Sequence, residues 1–326
     1  MEKSDLRIVF MGTPEFAVET LRALVENGYN VVAVVTQPDK PVGRHQTEMQ
    51  PSEVKKYALS QGLPVLQPEK MKDPAFVEQL RLYRANLQVV VAFRMLPEVV
   101  WAMPEYGTFN VHAALLPQYR GAAPINWAII NGETETGVTT FFLDHDIDTG
   151  RIIQKKTFPI PDDADVEYVY DGLMKLGAEL CLETLETIVK ADGHPVTVAQ
   201  EDDCGGQTAT HEILKAAPKI FKETCEIDWT MSAKKVYDFV RGLSPVPGAW
   251  TTLVGADGKE TVLKIYKARK TGMVNSSGLM VKDKRLLVAC GDECLELLEV
   301  QLAGKKRMSA RDFLNGMKNV ETYKVK

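Results

Sequence analysis

The stretch LRIVFMGTPEFAVETLRALVENGYNVVAVVT, from Leu6 to Thr36, decides the fold. Leu6 to Met11 is an almost unbroken apolar run, which reads as a strand buried on both faces. Phe16 to Asn27 spaces its apolar residues as a helix does and stops at Gly28, and Val31 to Thr36 is again a short β-branched run. Strand, helix and strand in one short stretch make a βαβ unit, whose two strands must be parallel. The pattern recurs downstream: Ser52 to Gln61 reads as a helix capped by Ser52, and Leu87 to Ala92 as another buried strand. Repeated units imply an α/β fold with a doubly wound, mostly parallel sheet. The turn after the first strand, Gly12-Thr13-Pro14-Glu15, holds one glycine where a dinucleotide-binding turn has three, which argues against a nicotinamide cofactor.

From Glu135 the pattern changes. Gly137 to Leu143 and Arg151 to Lys155 are β-rich runs joined by the acidic turn Asp144-His145-Asp146-Ile147-Asp148-Thr149-Gly150, and they predict a hairpin added to the parallel sheet. A long amphipathic helix follows from Asp165 to Asp192, with Gly193-His194-Pro195 as its stop. The chain then turns polar and glycine-containing. These shifts predict a first domain over 1–195, a linker over 196–211 and a second domain over 212–326. The second domain carries one clear helix, Ser232 to Gly242, and about five short strands with turns between them, consistent with a small β-barrel, OB-like or of another type.

Charge divides the chain along the same line. Up to Gly205 there are 18 Lys and Arg against 30 Asp and Glu; beyond it there are 21 against 14. A basic module joined to an acidic one points to a polyanionic partner for the C-terminal half. The five cysteines form no C-x-x-C pair, and an odd number argues for free thiols in a reducing compartment rather than a disulfide framework. The charged start, Met1 to Asp5, is no signal peptide, and no apolar run is long enough to span a bilayer. A cytoplasmic protein without membrane contact is expected.

The chemistry centres on Asn110-Val111-His112, at the end of the apolar strand Tyr106 to His112, and on Asp148 in the acidic turn. Each alone would more often be a structural residue; together they suit acyl transfer to an amine. The amide and imidazole can donate to a developing oxyanion, while the carboxylate orients the imidazole and helps manage a proton. Neither a catalytic serine nor a metal is needed. Asp144 and Asp146 lack the ligand pattern of a calcium loop, so no metal is expected, and His145 among the acids is read as solvent-exposed.

With the segment Leu115 to Ile125 between them, these residues resemble the folate-dependent formyltransferases, specifically the branch that formylates charged tRNA. The resemblance covers nearly the whole chain: Phe10 to Ala17, Thr36 to Arg44, Pro218-Lys219-Ile220, Ile227-Asp228-Trp229 and Pro247-Gly248-Ala249-Trp250 also match. It implies a Rossmann-like catalytic domain, with an OB-like C-terminal domain that binds tRNA. It further implies that 10-formyltetrahydrofolate donates a formyl group to the methionyl amine of charged initiator tRNA. The catalytic residues carried over are Asn110, His112 and Asp148. The folate contacts are Phe93, Arg94, Met95, Leu96, Ala114, Leu115, Leu116, Pro117 and Asp144. The tRNA contacts are Lys40 and Arg44, together with the basic cluster Lys305, Lys306 and Arg307. A monomer is expected. The alternative implied by the same catalytic unit is a sugar-nucleotide N-formyltransferase.

Overall fold

The computed structural model describes residues 1–42, 48–202, 213–274, 278–317 and 319–326. In chain order the first half contains β1 (Arg7–Gly12), α1 (Glu15–Glu26), β2 (Asn30–Val35), β3 (Lys40–Val42), β4 (Glu48–Gln50), α2 (Glu53–Ser60), β5 (Val65–Leu66), α3 (Pro74–Leu82), β6 (Leu87–Val91), α4 (Glu98–Trp101), β7 (Thr108–His112) and β8 (Arg120–Gly121). Then come α5 (Pro124–Ile130), β9 (Glu135–Phe142), β10 (Ile152–Pro159), α6 (Val166–Lys190) and β11 (Ala216–Ala217). The remainder is α7 (Ala233–Gly242), β12 (Ala249–Val254), β13 (Glu260–Lys270), β14 (Leu279–Lys282), β15 (Arg285–Ala289), β16 (Cys294–Leu302), β17 (Met308–Ser309), α8 (Ala310–Gly316) and β18 (Lys324–Val325). Two compact units form from interleaved stretches: Met1–Gly121, Thr136–Phe158 and Tyr170–Ala216 in the first, Ala122–Glu135, Pro159–Val169 and Ala217–Lys326 in the second.

The first unit is built on a seven-stranded sheet of order β10-β9-β7-β6-β1-β2-β5. β1 pairs parallel with β2 on one side and β6 on the other, β6 pairs parallel with β7, and β7 pairs antiparallel with β9. The doubly wound, mostly parallel sheet and its added hairpin are thus as the sequence predicts. Every residue of β1 from Ile8 to Gly12 is buried, the signature of a central strand covered on both faces. Because β2 and β6 flank β1 on opposite sides, the winding reverses there, and the crevice outside the carboxyl ends of β1 and β6 is where such sheets place their sites. β7 is the next strand along.

Local detail accounts for the close packing at that crevice. Gly12 ends β1 under α1, and a Cβ on it would lie 2.6 Å from the Ala17 Cβ and 3.0 Å from the Val91 carbonyl oxygen. It is therefore required by the helix's approach to the sheet, beyond the simple turn role read from the sequence. α1 buries Phe16, Ala17, Thr20, Leu21 and Leu24, one stripe of its surface. Pro14 precedes it without a side-chain cap, and the unpaired Phe16 N–H donates instead to the Tyr170 hydroxyl at 2.8 Å. Ser52 caps α2 as expected, accepting from the Lys55 N–H at 3.1 Å.

In the second unit an antiparallel sheet runs β14-β15-β16-β13-β12-β18, with β17 paired to β16. All five expected strands are present, β13 and β16 running longer than expected. Val236, Phe239, Val240 and Leu243 from α7 and its C-terminal end join the buried cluster over this sheet. Trp229 is part of that core, its indole N–H donating to the Thr251 hydroxyl at 3.0 Å. The other side of α7 is also covered. Asp238 and Arg241 there are both nearly fully buried, paired at 2.9 Å, with Arg241 also donating to the Ala164 carbonyl at 3.0 Å. On the sheet, burial alone would raise the Glu296 carboxyl, but the forks of Arg285 and Arg269 carry it below its ordinary value.

α5 crosses α7 at Gly242, and the Asn126 amide donates to the Gly242 carbonyl at 2.9 Å. A Cβ on Gly242 would sit 2.6 Å from the Ile130 Cγ1 and 2.9 Å from the Ile130 backbone nitrogen. Gly242→Ala is expected to destabilise the fold by about 1–3 kcal/mol through this overlap, exceeding the ~1 kcal/mol that alanine gains as a helix former. Chemical denaturation reads this directly; a variant as stable as the parent would mean that the two helices are not in contact at this point.

Candidate active site

β7 places its side chains with period two, so Phe109 and Val111 face one side of the sheet while Asn110 and His112 share the other. The pairing of Asn110 with Phe141 and of His112 with Thr139 sets both beside β9, whose far end leads into the acidic turn. That turn brings Asp148 back. His112 is 6% exposed, and its Nδ1 lies 3.9 Å from Asp148 Oδ2. This is an ion-pair distance and too long for a hydrogen bond.

The other imidazole nitrogen fixes the tautomer. His112 Nε2 is 2.9 Å from the Tyr119 carbonyl, which can only accept, so Nε2 carries a proton and Nδ1 is the basic end facing Asp148. Tyr119 is in turn held by its N–H, which donates to the Lys215 carbonyl at 2.6 Å. Asp148 Oδ2 accepts the Gly121 N–H at 2.9 Å. Asn110 Oδ1 is buried with no partner among the described residues. Such an orphan costs about 1–3 kcal/mol and marks a place where a bound polar group is expected. A half-turn of the amide offers its NH2 in the same space.

Three non-glycine residues around this point are left-handed: Ala92 (φ 47°) after β6, Tyr119 (φ 61°) after β7, and Asp148 (φ 56°) between β9 and β10. Each costs about 1–2 kcal/mol against ordinary backbone, and strain of this kind collects where geometry is fixed for function. Gly150 closes the turn because a Cβ there would fall 1.7 Å from the Phe142 carbonyl oxygen. Gln200, only 1% exposed, donates from its amide to the Asp148 carbonyl at 2.9 Å and the Gly150 carbonyl at 2.8 Å. It reaches there because Val198 pairs with Ile152 through two backbone hydrogen bonds of 2.8 and 2.9 Å. The stretch expected as linker thus begins with paired residues, and its part over 203–211 lies outside the described residues.

The expected folate residues fall into two groups. In Ala114 to Pro117 the side chains of Ala114, Leu116 and Pro117 are buried, and only Leu115 is partly exposed. The Thr139 hydroxyl donates to the Ala114 carbonyl at 2.7 Å and accepts the Leu116 N–H at 3.1 Å, and the Lys155 ammonium donates to the Leu116 carbonyl. Here the backbone, rather than the side chains, is set in place. Arg94, Met95 and Leu96 line a cleft of about 540 Å³ at the carboxyl end of β6, with Lys70, Lys72, Trp101 and His145 also on its wall. Phe93 packs against the buried cluster that contains Leu96 and does not line the cleft. The Arg94 guanidinium donates to the Glu69 and Pro68 carbonyls, and burial lowers it from its ordinary value.

Asp144 is exposed and accepts its neighbour's backbone N–H, from His145, at 2.6 Å. His145 is exposed, as expected, yet it stands edge-on to Trp101 at 5.3 Å and lines the cleft. Of the basic residues, Lys40 is exposed on β3, and Arg44 lies outside the described residues. Lys305 and Lys306 are exposed in the second unit, while Arg307 is paired with Glu299 and lies 4.4 Å over the Tyr266 ring. Sequence reasoning missed Gln200, Thr139 and the Tyr119 carbonyl. A polar residue in a polar segment, a threonine in a strand and a backbone atom carry no signal of their own.

Comparison with known proteins places this geometry in context. The family description Formyl transferase matches residues 6–185, and Formyl transferase, C-terminal domain, matches residues 219–318. The methionyl-tRNA formyltransferase of Parabacteroides distasonis is 59% identical over 329 residues, covering 100% of both chains. That of Bacteroides thetaiotaomicron is 56% identical over 329 residues with the same coverage. Among solved structures, WlaRD, described as a sugar 3N-formyl transferase, superposes with a TM-score of 0.63 at 16% identity, over 92% of this chain and 99% of its own. HypX from Aquifex aeolicus, in complex with tetrahydrofolic acid, superposes with a TM-score of 0.61 at 20% identity, over 95% of this chain and 47% of its own. At such identities these structures speak for the fold alone.

Proposed function

The chain belongs to the formyl transferase family, carrying both of its domains, and from that premise we propose that it formylates the methionyl amine of charged initiator tRNA, with 10-formyltetrahydrofolate as donor. The observation that carries the reading is the pairing of Asn110 and His112 on one face of β7, with Asp148 3.9 Å from His112, in a chain whose full-length relatives bear this activity in their names.

The geometry supports the following course of reaction. Attack of the amine on the formyl carbon forms a C–N bond and a tetrahedral intermediate with negative charge on oxygen. Asn110 donates from its amide to that oxygen. His112 holds its Nε2 proton on the Tyr119 carbonyl, so Nδ1 is the end that takes the amine's proton; the resulting imidazolium faces the Asp148 carboxylate 3.9 Å away and is stabilised by it. The same proton passes to the leaving nitrogen of the donor as its C–N bond breaks. The products are N-formylmethionyl-tRNA and tetrahydrofolate. The donor is a substrate, held by the cleft along Arg94 to Leu96 and by the backbone of Ala114 to Pro117, with Asp144 next to His145 of the cleft wall. No group of three or more His, Cys, Asp or Glu among the described residues is arranged to hold a metal ion.

Lys40 and Arg44 locate the acceptor end of the tRNA, and the basic stretch beyond Gly205, with its OB-like set of antiparallel strands, gathers the rest. Action in the cytoplasm, as a monomer, belongs to this proposal. No helix among the described residues is long and apolar enough to cross a bilayer. Incubation with labelled 10-formyltetrahydrofolate, offering either charged initiator tRNA or an amino-sugar nucleotide, tests the acceptor. Label on tRNA is expected; label on the sugar alone would establish the alternative acceptor. A further expected outcome is salt sensitivity. With roughly three to six phosphates contacted, log affinity for tRNA should fall against log salt with a slope of about −2 to −5. A flat dependence, measured by filter binding, would remove the basic stretch from recognition.

A further inference from the structure

We propose that Gln200 is a positioning residue for catalysis, holding the Asp148 carboxylate where it stabilises the charged His112; this rests on the triad reading above. Among the described residues its side chain makes at least four hydrogen bonds, using both ends of the amide. The amide nitrogen donates to the Asp148 and Gly150 carbonyls, at 2.9 and 2.8 Å. The amide oxygen accepts from Arg120 Nε at 3.0 Å and Nη2 at 2.6 Å. This pattern also fixes which end is which, since the reversed amide would set its oxygen against two carbonyls and its NH2 against a guanidinium.

These contacts close a ring. Gln200 grips the backbone of the Asp148 turn on one side and Arg120 on the other. The next residue after Arg120, Gly121, donates its N–H to Asp148 Oδ2 at 2.9 Å. The carboxylate is thereby tied at its backbone and at its oxygen to one buried amide, and its 3.9 Å separation from His112 Nδ1 is set by that ring. Gln200 is nearly fully buried and is engaged with Arg120 and with the backbone of the Asp148 turn, so it acts through Asp148.

Single-turnover and steady-state formylation of charged tRNA by Gln200→Ala and Gln200→Glu, alone and combined with Asp148→Asn, tests the assignment, with thermal melting alongside. Gln200→Glu keeps the volume and the Arg120 partner but has no N–H to give the two carbonyls. Both variants are expected to lose roughly 10–100-fold in kcat, the scale of a small misplacement of a catalytic group, with KM for donor and tRNA unchanged within about threefold. In the Asp148→Asn background the same substitutions should change kcat by less than about threefold, because the group they position is already gone. An equal loss in both backgrounds, a KM effect with kcat intact, or a fully active Gln200→Glu would overturn the role of Gln200. Should Gln200→Ala fail to fold, Gln200→Glu carries the comparison. Wild-type turnover in Asp148→Asn alone would bring down the triad reading instead, which separates the two failures.

Discussion

Replacing Asn110 with alanine is expected to lower kcat by roughly 10²–10³-fold, or about 2.7–4 kcal/mol of transition-state stabilisation, the usual effect of removing one oxyanion donor, and His112→Ala by roughly 10²–10⁴-fold, the scale of a lost general base. His112→Ala should be the more severe, since Nδ1 both takes the amine's proton and faces the Asp148 charge. Asp148→Asn isolates that charge. An asparagine oxygen can still accept the Gly121 N–H that now binds Oδ2 at 2.9 Å, so the turn keeps its tie while the imidazolium loses its counter-charge. Rapid-quench transfer to charged tRNA, with melting curves to certify folding, measures all three. Turnover near wild type in a folded His112→Ala would exclude the proton route drawn here. By contrast His145→Ala, at the cleft wall, should change donor binding more than chemistry.

Ending the chain at Ala216 should abolish tRNA formylation and leave a fragment that does not melt cooperatively. The second compact unit includes Ala122–Glu135 and Pro159–Val169, which such a fragment would retain without the rest of that unit. Ile130 packs against the buried cluster of the C-terminal sheet and α7. Trp127 donates its indole N–H to the Pro218 carbonyl at 2.8 Å, Asn126 donates to Gly242, and the Val166 N–H donates to the Ser244 carbonyl at 3.1 Å. Uncovering these groups costs on the order of 5 kcal/mol, a large share of the ~5–15 kcal/mol by which a domain is stable. Soluble yield and calorimetry decide. A fragment with a sharp melting transition and donor affinity equal to the full chain would show that those two stretches stand without the C-terminal residues.

Much of this was legible in the sequence because the signals are local. The apolar run Ile8 to Met11 and the helical spacing of Phe16 to Leu24 each belong to one element, and period two alone puts Asn110 and His112 on one face. The acidic turn announces a bend by its composition, and Gly150 is where that bend admits no Cβ. What could not be read depends on residues far apart in the chain. Gln200 meets Asp148 and Gly150 from about fifty positions away, and a polar stretch looks the same whether it wanders or docks. The grouping of α5 with the C-terminal sheet likewise leaves no mark in the periodicity of α5 itself. Arg307 illustrates the converse: a basic cluster shows charge, but the Glu299 carboxylate and the Tyr266 ring that engage Arg307 are visible only in three dimensions.

His112 and Asp148, the pair proposed for catalysis, are held from the far side of the sequence twice over, by Gln200 at the Asp148 turn and by the Lys215 carbonyl at Tyr119, whose own carbonyl fixes His112. For anyone swapping modules, or for recombination doing the same, this sets where a splice can fall. A chimera joined just after α6 would carry every residue of the triad and still inherit a misaligned site, because its new partner would have to supply by chance a buried amide and a carbonyl in the right places. The heritable cassette therefore reaches Lys215, longer than the sheet and helices that define the catalytic unit. Acceptor specificity can be exchanged only at junctions downstream of that lysine.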